Sequence, residues 1–130
     1  MENRVKKQTL LLVLFILGLA GCATSTSYDS YTYQRFPPKD PLSIVNVYSE
    51  SQALGAGSPY YVIGKVSVEG FAGDGINPGS LTNQAKVIAR KKGADAIINA
   101  KIEEYHYYYG EALLRFKGEL IVYASAASRS

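Results

Sequence analysis

Few side chains in this chain of 130 residues are equipped for chemistry, and they are scattered. There is one cysteine, Cys22, and one histidine, His106. A thiol is a nucleophile that can carry a covalent group. Its immediate neighbours are Leu19-Ala20-Gly21 on one side and Ala23 on the other. His106 lies in Glu103-Glu104-Tyr105-His106-Tyr107-Tyr108-Tyr109. With Glu104 it stands at i and i+2, on one face of an extended segment, and offers two metal donors where zinc takes four. The competing reading is a strand end with exposed polar residues. Ser80 has no base linked to it by any motif, so it reads as a helix cap and not as a nucleophile. Gly70-Phe71-Ala72-Gly73-Asp74-Gly75 precedes a helix, but Gly79-Ser80-Leu81 replaces the Lys-Ser/Thr of a phosphate loop. A calcium loop needs alternating oxygen ligands and a closing Glu, and only Asp74 and Asn77 are available. One histidine and no linked pair of carboxylates leave no acid–base machinery. The sequence therefore predicts a protein that is not an enzyme and carries no cofactor.

The cysteine has a context that explains it. Arg4, Lys6 and Lys7 form a basic start, and Leu10 to Ala20 is an almost unbroken apolar run. A basic region, a short apolar region and small residues before a cut make a secretory signal peptide. The run is shorter than the ~20 residues that span a bilayer core. Leu19-Ala20-Gly21-Cys22 resembles a bacterial lipobox. That resemblance implies cleavage before Cys22, diacylation of its thiol and an anchor of two or more chains, which is durable where one chain is marginal. Ala23, and not Asp, follows the cysteine. This resembles the pattern that sends lipoproteins to the outer membrane, facing the periplasm.

Removal of residues 1–21 leaves 109 residues and a net charge of +1, against +3 for the whole chain. The positive balance belongs to the signal peptide, so no nucleic-acid partner is expected. With Cys22 acylated no disulfide is possible, and burial alone must hold a small domain together. There are 11 tyrosines and no tryptophan.

Four blocks follow: a signal peptide (1–21), a lipidated N-terminus and flexible tether (22–41), an α+β domain (42–124) and a frayed tail (125–130). The tether is rich in Ser, Thr and Tyr, and Pro37-Pro38 and Asp40-Pro41 oppose regular structure. It would let the domain stand up to ~60 Å from its anchor. Ser43 to Ser49 reads as a first strand. Tyr60 to Glu69 reads as a second, with Val62, Gly64, Val66 and Val68 on one face. Ser80 caps a helix whose stripe is Leu81, Ala85, Ile88 and Ala89. Arg90-Lys91-Lys92 sit in its last turn, and Gly93 stops it. This basic cluster reads as a solvated helix end or, alternatively, a contact for anionic headgroups. Ala96 to Tyr108 is a third strand, with Ala96, Ile98, Ala100 and Ile102 on one face. After a turn at Gly110-Glu111, Leu113 to Tyr123 is a fourth, with Leu114, Phe116, Gly118, Leu120 and Val122 on one face. The predicted fold is a two-layer α+β domain, β-β-α-β-β, one helix on a mostly antiparallel sheet. Tyr105, Tyr107 and Tyr109 share a face, away from Ile98 and Ile102 provided no bulge intervenes. They form either a docking surface or a cross-strand ladder.

Ala89-Arg90-Lys91-Lys92-Gly93-Ala94-Asp95-Ala96-Ile97-Ile98-Asn99, with the earlier strand Val62-Ile63-Gly64-Lys65-Val66, resembles a group of small bacterial α+β domains. The group includes the YbjQ-type proteins, to which heavy-metal binding is attributed, and the RcsF-like envelope-stress lipoproteins. The resemblance spans about residues 60 to 123 and rests on structural positions. It implies the fold, and for YbjQ-type members a ring assembly. RcsF-like domains are stapled by disulfides, which this chain does not offer. The expected function is a membrane-anchored, non-enzymatic envelope lipoprotein acting as an interaction or sensing module, with an envelope protein as partner. The alternative is a metal-ion-binding module of the YbjQ type, with His106 and Glu104 as its candidate ligands.

Overall fold

The computed structural model describes residues 24–50, 59–107 and 110–124. The expectations for Cys22, Tyr109 and the tail 125–130 lie outside these residues. Six elements follow in chain order: β1 (Thr24–Ser30), β2 (Asn46–Val47), β3 (Tyr60–Phe71), α1 (Pro78–Lys91), β4 (Ala96–His106) and β5 (Ala112–Tyr123). The strands form one sheet in the order β1-β3-β5-β4-β2. All pairings are antiparallel except β2 with β4. Helix α1 covers one face, so the predicted two-layer α+β architecture is the observed one.

The core lies between α1 and the sheet. Leu81, Ala85 and Ala89 of the helix are fully buried and Ile88 packs beside them. Facing them are Val66 and Val68 of β3, Ile97 of β4 and Leu114, Phe116, Leu120 and Val122 of β5. The predicted stripes of the helix and of the last strand are thus the core stripes. Gly118 completes the β5 row because a side chain there would strike Ile97, its added Cβ lying 2.5 Å from Cγ2.

The helix begins a turn earlier than predicted. Asn77, not Ser80, is the N-cap, and Pro78 fills the first helical position. Ser80 is the return half of a capping box: its N–H donates to Asn77 Oδ1 (2.9 Å) and its hydroxyl accepts from the Asn77 N–H (3.0 Å). At the other end Gly93 has φ +76°, and an added Cβ would lie 2.5 Å from the Pro37 carbonyl oxygen.

The predicted flexible tether is corrected. Thr24–Ser30 is an edge strand, paired in register with β3 from Thr24↔Gly70 to Ser30↔Gly64. Residues 31–45 then run across the end of the helix. The Lys39 N–H donates to the Arg90 carbonyl (2.8 Å), and the Arg90 Nε–H donates to the Ser43 carbonyl (2.7 Å). Lys39 pairs with Asp95, whose other oxygen accepts from the Tyr123 N–H (2.8 Å). The first predicted strand shrinks to Asn46–Val47, and only Val45 of its apolar residues is fully buried.

Two register shifts change which residues share a face. One lies between Val62 and Gly64, the other between Ile98 and Lys101, where Asn99 has φ 51°. A bulge adds a residue to one strand and reverses the side on which all later residues point. Ile63 therefore joins Val66 and Val68 in the core, whereas Val62 points to the outer face. Ala96 and Ile98 lie on the outer face, while Ala100 and Ile102 lie on the helix side. The predicted single rows in β3 and β4 are each two half-rows.

Candidate functional site

The outer face of the sheet, opposite α1, divides into three zones along the strands. At the end where β3 finishes and β5 starts, Phe71, Leu113 and Tyr105 stand on neighbouring strands, β3, β5 and β4. Leu113 is buried beneath its neighbours. The Phe71 and Tyr107 rings lie 6.2 Å apart at 53°, a tilted aromatic pair. Phe71 is 37% exposed, Tyr105 38% and Tyr107 51%, so these rings make a surface and not a core.

The middle zone is ionic and ordered across strands. The Arg115 Nε–H donates to Glu69 Oε2 (2.8 Å), and its guanidinium lies 5.1 Å from the centre of the Tyr105 ring. Lys101 (3.3 Å) and Lys117 (3.4 Å) flank the Glu103 carboxylate, and the Tyr105 hydroxyl donates to it. These donors, the phenol foremost, lower the Glu103 pKa to about 2. The carboxylate in turn holds the Tyr105 phenol above its ordinary value, and Glu69 raises Arg115. The third zone is a small second core, Ala96, Ile98 and Ile121, roofed by Tyr48, Tyr60, Val62 and Tyr123. Burial, then the nearby Tyr48 and Asp95, raises the Tyr123 phenol.

Each sequence-predicted site residue among the described ones has a definite place. Tyr105 and Tyr107 reach the outer face. The bulge in β4 puts Ile98 on their side and Ile102 on the other, which corrects the grouping of the two isoleucines. Tyr105 faces Leu113 and Arg115 across the strand, so it is not stacked in a ladder of described tyrosines. His106 and Glu104 do meet, Nε2 to Oε1 at 3.4 Å, and both are exposed. Among the described residues no three His, Cys, Asp or Glu side chains group to hold a metal ion. Asn77 is committed to the helix cap, which removes it from any calcium loop. Arg90 is no free helix end, since it ties residue 43 to the helix.

Two features were absent from the sequence reading. The sequence reads the second strand as Tyr60 to Glu69, and the glycines at 70, 73 and 75 hide its continuation to Phe71. Leu42 and Ile44 are almost fully exposed beside the C-terminal end of α1. The sequence reads Ser43 to Ser49 as a first strand, and the structure keeps only Asn46–Val47 of it.

No protein family and no curated protein matches the chain. Among solved structures it is similar to that of a Francisella virulence factor, FvfA, in its orthorhombic crystal form. That similarity has a TM-score of 0.49 and 20% identity, covering 73% of this chain and 96% of that one. Among the described residues no helix is long and apolar enough to cross a membrane.

Proposed function

We propose that this chain is a lipid-anchored envelope protein, held at Cys22 on the periplasmic side of an outer membrane, and that it works by binding and not by catalysis. The ionic middle zone of its outer sheet face is the binding surface, and an envelope protein is the partner. The observation that carries this reading is the state of that zone. It is uncovered among the described residues, yet Arg115 is held by Glu69 and the Glu103 carboxylate is flanked by Lys101 and Lys117. An ordered arginine at a surface is a frequent anchor of association. Leu42, Ile44 and Tyr61 are exposed apolar side chains on the helix side of the sheet, away from that face. The metal-binding alternative has the His106–Glu104 pair and no third donor among the described residues, and the binding reading is preferred.

The anchor is tested in cells producing the full chain. Wild-type protein partitions with membranes, and Cys22→Ser protein keeps its signal segment and gains no lipid. Equal lipid-free processing of both would contradict the anchor. The surface is tested by recovery of cross-linked partners from cells. Substituting Lys65, in the middle of the outer face, with a photo-reactive residue gives an adduct with one envelope protein that is lost on Arg115→Glu. An adduct insensitive to that charge reversal would remove the face from consideration.

A further inference from the structure

Resting on the lipid anchor proposed above, we propose that the aromatic end of the outer face, Phe71 with Tyr107 and Tyr105, is seated in the interfacial zone of the bilayer that holds Cys22. The first observation is where β1 starts. Only Ala23 separates Cys22 from Thr24, so the acylated residue lies within ~7 Å of the strand. Thr24 is paired with Gly70, the residue before Phe71. Neighbouring strands are ~4.8 Å apart. Lipid and aromatic end are therefore forced to the same edge of the sheet, with no tether to separate them.

The second observation is the chemistry of that edge. Tyrosine pairs an apolar ring with a polar tip, which suits the headgroup boundary, and Phe71 adds apolar area beside it. The remaining ionisable groups at this end are Asp74, Glu104, Glu111 and His106, with Glu69 and Arg115 paired to each other. They supply no excess of cations, so the contact is aromatic and does not depend on anionic lipid. The basic cluster Arg90-Lys91-Lys92 lies partway along the sheet: Lys92 Nζ is 4.8 Å from the centre of the Tyr28 ring, and Tyr28 pairs with Val66, ~17 Å along β3 from Phe71. With the aromatic end in the membrane, that cluster, Leu42 and Ile44 stand back from it.

The native chain has no tryptophan, so a single introduced indole is an unambiguous reporter. Phe71→Trp, Tyr107→Trp and, at the far end of β3, Tyr61→Trp are made in the full chain. Each is purified from membranes and reconstituted into phosphatidylcholine vesicles with or without brominated acyl chains. Indole at 71 and 107 should shift to the blue and lose emission in brominated lipid, while indole at 61 should do neither. The effect should persist at high salt. Protein that floats with the vesicles but leaves the indoles at 71 and 107 in water overturns this inference and leaves the anchor intact. Protein that does not float overturns both. Quenching at 61 equal to that at 71 overturns the orientation.

Discussion

Glu103 is a surface carboxylate to which a phenol and two ammonium groups converge. Folding therefore lowers its pKa, and the sign of the consequence follows. Its contribution to stability is complete above its ordinary value of 4.5 and is lost as pH falls toward about 2. Tyr105→Phe removes the largest cause and should move the Glu103 midpoint upward, from about 2 toward 4.5. Carboxyl-detected NMR titration reads this directly, and an unmoved midpoint would separate Tyr105 from Glu103. Asp95 is a second single-residue lever. Asp95→Ala strips the Tyr123 N–H and Lys39 of their acceptor and should lower stability by about 1–3 kcal/mol, the loss of a part-buried hydrogen bond to a charged group. Urea unfolding measures it. Glu103 and Tyr105 are two residues apart on one strand, but Lys117, which also pairs with Glu103, comes from β5 and is hidden in the linear chain. Lys39 and Asp95 are 56 residues apart in sequence.

At the scale of elements, what was legible followed the burial pattern. The helix announced itself through Leu81, Ala85, Ile88 and Ala89, and β5 through strict alternation. Edge strand β1 did not, because Thr24–Ser30 is polar on both faces, as an edge often is. Its only strong packing signal is Tyr28, which lies over Gly64 and donates to the Ile63 carbonyl (3.2 Å). The two bulges were equally silent, since a register shift is set by the partner strand. They are why Tyr105 could be assigned a face only conditionally. The route of residues 31–45 depends on Gly93, which needs both its positive φ and its bare Cα against Pro37. Gly93→Ala should therefore destabilise by roughly 1–3 kcal/mol and speed hydrogen exchange in β1. Exchange in α1 should change less. Uniform loss of protection would show that this segment and the core unfold as one unit. Asn77→Ala, which breaks the capping box, should cost about 1 kcal/mol in the same unfolding assay.

For the whole molecule the position of the N-terminus matters most. A flexible tether would make orientation arbitrary, and the sequence suggested one because Pro37-Pro38 and the Ser/Thr run look unstructured. The strand at Thr24–Ser30 replaces that freedom with a fixed geometry. The Thr24 end of the edge strand lies next to Cys22, and the strap of residues 31–45 and the tyrosine-roofed core lie toward the other end of the strands. Under the proposed anchor, a lipid at Cys22 would set which surfaces meet the bilayer and which meet a partner. The mass of the N-terminal peptide from membrane-extracted protein tests this account most directly. The account predicts a chain that starts at Cys22 and carries a diacylglyceryl group and an amide-linked acyl chain. A chain with a free, unmodified Cys22 recovered from the soluble fraction would contradict it.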